Sequence, residues 1–281
     1  MKTNSTKNDI VNTISTAAAL ITGLITGAFL VLAFTNTCRD NLPSNLLYLS
    51  SIRNQNTTAT SIQLEAILHY ATSKVVPQQN IDEIRLSYDV LRKLAPCNFL
   101  VFGLGYDSLM WAGLNPNGTT LFLEESPEWV QTVLKDAPFL KAQTVSYRTQ
   151  LHEADRLLAT YRDEPDCLPG KTFLKGNMKC RLALENLPEE VYEKDWDVIM
   201  IDAPRGYFNE APGRMGAIYS VAVMARGRRR LGNTHVYLHD VDRKVEKEFA
   251  KEFLCMKYKV GGVGRLWHFE IPHAQDNDTF C

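Results

Sequence analysis

The segment Phe102-Gly103-Leu104-Gly105-Tyr106-Asp107-Ser108 lies where an apolar run gives way to a helical pattern. Two glycines at such a turn let a ligand approach the backbone closely. A dinucleotide fingerprint wants a third glycine three residues after the second, and Ser108 stands there, which counts against a pyrophosphate ligand. About 20 residues further on, at the end of the next apolar run, a carboxylate can accept hydrogen bonds from the ribose hydroxyls of an adenosyl group. Glu124 holds that position and Glu125 is the alternative. Gly103, Gly105 and Glu124 together suit S-adenosylmethionine.

Asp202 closes the apolar run that begins at Trp196, and Ala203, Pro204, Arg205, Gly206, Tyr207 and Phe208 follow it. Methyl transfer to a sugar hydroxyl is an in-line displacement, which needs the oxygen close to the methyl donor and a base to take its proton. Asp202, His239 and Asp240 are the candidates for that role, and Asp202 is also expected to face the donor. The same acids, Asp202 and Asp240, could hold a divalent cation that orients and acidifies the hydroxyl. Arg205 and Arg214 flank the loop after Asp202, and a guanidinium fork matches the carboxylate of a uronic acid. Tyr207 could stack on a sugar ring.

These residues need a frame. From Asn98 short apolar runs alternate with amphipathic stretches, the pattern of a parallel sheet buried on both faces. Strands are expected at Phe99 to Leu104, Thr120 to Glu124, Ala142 to Val145, Asp197 to Asp202 and Thr234 to His239. Helices are expected near Ser108 to Leu114, Pro127 to Lys135, Leu151 to Arg162, Arg214 to Ala225 and Lys244 to Phe253. Met256 to Val260 and Leu266 to Ile271, separated by a glycine-rich turn, read as a closing hairpin. The fold class is therefore α/β, a doubly wound seven-stranded sheet of the Rossmann-like methyltransferase form with an antiparallel last strand. Two helices precede it. One begins near Thr60 with Ile62, Leu64, Ile67, Leu68 and Ala71 as its apolar face, and one is capped by Asn80 with Glu83 at the third position.

The 281 residues suffice for one sizeable core, and 22% charged against 45% hydrophobic residues mark an ordinary globular chain. A net charge of -1 gives no general attraction to nucleic acid, so none is expected as a partner. Arg226, Arg228, Arg229 and Arg230 form the densest basic cluster and read as a helix end. No residue from Ile10 to Cys38 is charged, and the aliphatic stretch 17–34 approaches the ~20 residues that cross a bilayer. The expected organisation is a cytoplasmic tail 1–16, a signal anchor 17–34, a stem 35–59 and a lumenal domain 60–281. Asn56, Asn117 and Asn277 begin N-x-[ST] triplets on the lumenal side, whereas Asn4 would remain cytoplasmic. Six cysteines in a lumenal protein favour pairing; Cys167 and Cys180 bracket a short polar excursion, and Cys255 with Cys281 is a second pair.

The runs PCNFLVFGLGYDSLMWAGLNP from Pro96, DWDVIMIDAPRGYF from Asp195, EAPGRM from Glu210 and HVYLHDVDRKVE from His235 carry a further signal. Through them the chain, from about Ser61 to Ile271, closely resembles the plant glucuronoxylan 4-O-methyltransferase family, including its arabinogalactan-type members. The resemblance implies a single-pass type II Golgi membrane protein with a lumenal catalytic domain, using S-adenosylmethionine on a polysaccharide that bears glucuronic acid. It maps a glycine turn, a second-strand acid and a fourth-strand Asp onto Gly103, Gly105, Glu124 and Asp202. Tyr106 departs from the family pattern, where many relatives carry His. The competing reading is a non-catalytic Golgi scaffold of the same fold, partnered with glycosyltransferases and needed for xylan deposition, which would require neither Asp202 nor His239.

Overall fold

In the computed structural model, residues 61–169, 173–274 and 279–281 are described. The expected tail, anchor and stem and the sequons at Asn4, Asn56 and Asn277 lie outside them. Among the described residues no helix is long and apolar enough to cross a membrane.

Seven strands build one sheet: β1 Asn98–Phe102, β2 Thr119–Glu124, β3 Lys141–Thr144, β4 Val198–Ile201, β5 Asn233–Leu238, β6 Lys259–Val263 and β7 Leu266–Pro272. Their order is β3-β2-β1-β4-β5-β7-β6. The first five pair in parallel, and β7 enters antiparallel between β5 and β6. This is the doubly wound sheet with an antiparallel last strand that the apolar runs predicted. One boundary differs. Residues 256–258 form a 3-10 turn, and Gly261 and Gly262, expected in the connection, belong to β6; the reversal itself is made by Gly264 at φ +53° and Arg265.

The apolar runs of β1, β2, β4 and β5 are continuous because these strands are covered on both sides, whereas the edge strands β3 and β6 stay largely open to solvent. Leu100, Phe102, Leu121, Leu123, Ile199, Ile201, Val236 and Leu238 enter one core. The alternate residues Phe99, Val101, Phe122, Val198, Met200 and Tyr237 enter the other. Helix α1 covers residues 61–72; α2 is Ile81–Leu94, α3 Ser108–Gly113, α4 Pro127–Asp136, α5 Ala154–Thr160, α6 Glu189–Glu193, α7 Met215–Arg226 and α8 Lys244–Phe249. A π-helical turn, Ala250–Leu254, extends α8. The Asn80 and Glu83 capping box at the start of α2 is present in both directions. Leu91 of α2, Trp111 of α3 and Val130 of α4 pack into the second core, and α7 is buried almost throughout against the first.

Helix α1 docks differently from expectation. Leu64, Ile67 and Leu68 are 61%, 66% and 61% exposed, so the aliphatic stripe faces away from the sheet. Contact is made by the opposite, smaller side. Gln63 Nε2 donates to Gly113 O at 3.1 Å, Ala66 is buried beside Gly113, and Tyr70 Oη donates to Tyr106 O at 2.5 Å. The small Ala66 side chain lets the two helices approach closely, since even a Cβ on Gly113 would stand only 3.5 Å from Ala66 Cβ, an ordinary packing distance.

Disulfides Cys167–Cys180 and Cys255–Cys281 are both formed, as the spacing suggested. The basic cluster after α7 is consumed locally: Arg228 pairs with Asp197 at 2.7 Å, Arg229 and Arg230 pair with Asp195, and Arg226 donates to Phe280 O.

Candidate active site

The strand order reverses between β1 and β4, and in open α/β sheets ligands bind outside the carboxyl ends of the strands at such a point. A cavity of about 470 Å³ opens there, with walls from the turn after β1, the ends of β2, β4 and β5, and the loop after Asp202. Gly103 adopts φ +124°, and a Cβ on it would stand 3.3 Å from Ala203 Cβ. The turn after β1 thus passes directly against the end of β4, an approach only glycine accommodates without strain.

Glu124 is 8% exposed. Its carboxylate accepts from Leu104 N at 3.1 Å and from Ser126 N at 3.1 Å, which fixes both oxygens at the cavity edge with lone pairs to spare. Burial raises its pKa, partly offset by those backbone donors. Between the two open acids of the sequence, the structure therefore places Glu124 in the fixed position. Glu125 is committed to Arg205, whose Nε donates to it at 2.5 Å. Trp129, on the first turn of α4 behind the Ser126 cap, donates Nε1–H to Leu104 O at 2.6 Å and adds a flat aromatic wall. The glycine turn, the fixed carboxylate and this wall suit an adenosyl group.

Asp202 sits across the cavity from Glu124, at the end of β4. His239 Nδ1 lies 2.8 Å from its Oδ1, and Arg214 contacts the same oxygen at 3.3 Å and the Asp202 carbonyl at 2.5 Å. Burial pushes the Asp202 pKa up, but the His239 hydrogen bond and the Arg214 charge outweigh it and leave it at about 2. Such a carboxylate is ionised at any working pH and is a weak proton acceptor. His239 is 1% exposed and is not part of the cavity wall. Its Nε2 finds no hydrogen-bond partner and faces Glu83 Oε2 at 3.7 Å. Burial lowers the His239 pKa, yet the bond to Asp202 and the neighbouring carboxylate charges raise it on balance. The imidazole holds Asp202; it does not reach into the cavity.

Asp240 and Arg214 also depart from their expected employment. Asp240 is bound by three guanidinium groups, from Arg214 at 2.8 Å, Arg243 at 3.0 Å and Arg265 at 2.6 Å. Arg214 is 4% exposed and spends its donors on Pro204 O, His239 O, Asp202 and Asp240. It clamps the ends of β4 and β5 together, which leaves little of the fork for a uronate. Asp202, His239 and Asp240 come within ligand-sharing distance of one another. Arg214 bridges their carboxylates where a cation would have to sit, so the trio in this arrangement does not fit a divalent ion.

The acid that sequence reasoning passed over is Asp107. It lines the cavity, and its Oδ2 accepts from Trp111 Nε1 at 2.7 Å. Burial, then the charge of Asp202, raise its pKa to about 6. A base near that value can both release and accept a proton close to neutrality. The only sequence signal was its place two residues after Gly105. Arg205, Tyr207 and Arg243 complete the mouth; Tyr207 is 67% exposed and stands edge-on to Phe208 at 5.2 Å.

A family model described as IRX15/IRX15L/GXM matches residues 82–269. Among curated proteins of Arabidopsis thaliana, the chain is 58% identical over 266 residues to Arabinogalactan O-methyltransferase 1, covering 92% of this chain and 91% of that one. It is 58% identical over 275 residues to Arabinogalactan O-methyltransferase 2, covering 94% and 93%. Against Glucuronoxylan 4-O-methyltransferase 2 it is 49% identical over 219 residues, covering 77% and 74%.

Proposed function

The chain belongs to the IRX15/IRX15L/GXM family, and from that premise we propose that it methylates O-4 of glucuronic acid on a plant cell-wall polysaccharide. The observation that carries this reading is the cavity lined together by the glycine turn, Asp107, Asp202 and Glu124, whose carboxylate is fixed by two backbone N–H groups. Bound S-adenosylmethionine supplies an electrophilic methyl group on a cationic sulfonium. Glu124 accepts from the ribose hydroxyls, and the ionised Asp202, held by His239 and Arg214, gives the cavity fixed negative charge. Asp107 takes the proton of the attacking hydroxyl. Arg205 meets the uronate carboxylate while Glu125 holds it in place, and Tyr207 offers a ring face to the sugar.

Of the two acceptor polymers, the arabinogalactan glycan is the better supported, because identity to the arabinogalactan enzymes is higher and spans more of both chains. A Golgi membrane setting, with an anchor at 17–34 and the catalytic unit in the lumen, is part of the same reading. The uncharged stretch from Ile10 to Cys38, the sequon at Asn117 and two disulfides support it.

The test incubates the full-length protein with methyl-labelled S-adenosylmethionine and either arabinogalactan glycan or glucuronoxylan, followed by linkage analysis of the uronic acid. Label at O-4, greater on arabinogalactan, is expected. Donor binding without label on either polymer would refute the acceptor assignment, and absence of donor binding would favour the scaffold reading.

A further inference from the structure

Along the same face of β5 as His239, but four residues back and so about 13 Å away, lies a second group of ligating side chains. His235 on β5 is the cross-strand partner of Glu270 on β7, and His268 on β7 is the partner of Tyr237 on β5. The antiparallel pairing therefore projects both imidazoles and the carboxylate from one side of a rigid two-strand ladder.

Three atoms converge. His235 Nδ1 is 3.0 Å from His268 Nε2 and 3.7 Å from Glu270 Oε1, and one atom from each of the three groups lies within 4.8 Å of the others. Two ligands held 2.0–2.1 Å from a tetrahedral ion stand about 3.3 Å apart. The two separations bracket that value and the third lies within 4.8 Å, so release of the His235–His268 hydrogen bond and rotation of the Glu270 side chain would bring all three groups onto one ion. His268 is already oriented, because its ring stacks on Tyr237 with centroids 4.4 Å apart and planes 12° from parallel. Glu270 is 37% exposed along its side chain, which leaves an entry path from solvent.

We infer that His235, His268 and Glu270 form a binding site for a divalent ion of the zinc class, separate from the catalytic cavity, that clips β5 to β7. Two imidazoles and one carboxylate are a donor set suited to zinc, with a fourth position open to water.

The experiment strips the full-length protein with chelator, dialyses it against micromolar zinc, and counts bound metal by elemental analysis. Cobalt serves as a spectroscopic substitute. One zinc per chain and the strong visible absorption of four-coordinate cobalt are expected, together with a zinc-dependent rise in Tm. Glu270→Gln, a half-exposed position expected to leave the metal-free fold and its Tm unchanged, should weaken binding by more than about tenfold, as should His235→Gln. Asp202→Asn should leave the stoichiometry intact. Zinc binding unaffected by Glu270→Gln and His235→Gln, loss of zinc only in Asp202→Asn, or no zinc above background would each overturn the assignment.

Discussion

His239 Nδ1 stands 2.8 Å from Asp202 Oδ1, and this contact, with the charge of Arg214, keeps Asp202 ionised at about 2 despite its burial. The pair therefore supports the site as a fixed dipole and charge, and in the proposed mechanism the proton-transfer step falls to Asp107, whose pKa burial and then the Asp202 charge raise.

Asp107→Asn should lower kcat by roughly 10²–10⁴-fold, the usual contribution of a positioned base. In the wild type the rate should fall as pH drops through about 6, because Asp107 must be unprotonated to act. The variant should lose that limb. Stability should move the other way. A carboxyl whose folded pKa is raised contributes stability below its unfolded pKa, and that contribution is lost as pH rises through about 6. At pH 7.5 the Asn variant should accordingly be more stable by on the order of 1–3 kcal/mol in urea unfolding. A variant with normal turnover, or an unchanged acid limb, would remove Asp107 from this role.

Asp202→Asn carries the opposite sign. A depressed folded pKa stabilises the protein above the unfolded value, and the contribution is lost as pH falls from about 4 toward about 2. At pH 7 the variant should be destabilised by roughly 2 kcal/mol, with the difference shrinking in acid. Urea midpoints at pH 7 and at about pH 2.5 measure it, and equal midpoints at pH 7 would contradict the ion-pair account.

Arg205→Ala should raise the acceptor KM by roughly 10–100-fold, the scale of a lost hydrogen bond to a charged group, while the dissociation constant of the donor stays nearly constant. Steady-state kinetics on a uronate-bearing acceptor, with donor binding measured separately, distinguishes the two. Equal losses for both would place Arg205 in the donor site.

Asn117 lies exposed in the turn before β2 with φ +63°, a conformation that Asn tolerates and that leaves the side chain at the surface. Peptide mapping of protein expressed in a plant secretory system should find a glycan on Asn117 and none on Asn4. A glycan on Asn4 would invert the proposed orientation.

The fold was largely legible in the residues because its signals are local or periodic. Doubly buried strands such as Phe99 to Phe102 read as apolar runs, Asn80 and Glu83 cap α2 through contacts three residues apart, and the closing hairpin follows from its short turn. Helix α1 was the exception. Its aliphatic stripe is the stronger periodic signal, but the contacts that dock it are made by Gln63, Ala66 and Tyr70 with residues of the β1 turn and α3 that lie 36 to 50 positions away.

By itself the sequence determined the sheet, the glycine turn beside a second-strand acid and the family, which depend on residue type and spacing alone, whereas the two disulfide pairs it suggested were fixed only by the fold. The tertiary structure decided which charged groups are spent on one another. Arg214 is bound to groups from β4 and β5, Asp240 is bound by three arginines, and Asp107 becomes a base only through burial and the charge of Asp202. A proton affinity or a free guanidinium is a property of neighbours brought together by folding, and those neighbours lie as few as 3 and as many as 95 positions apart along the chain.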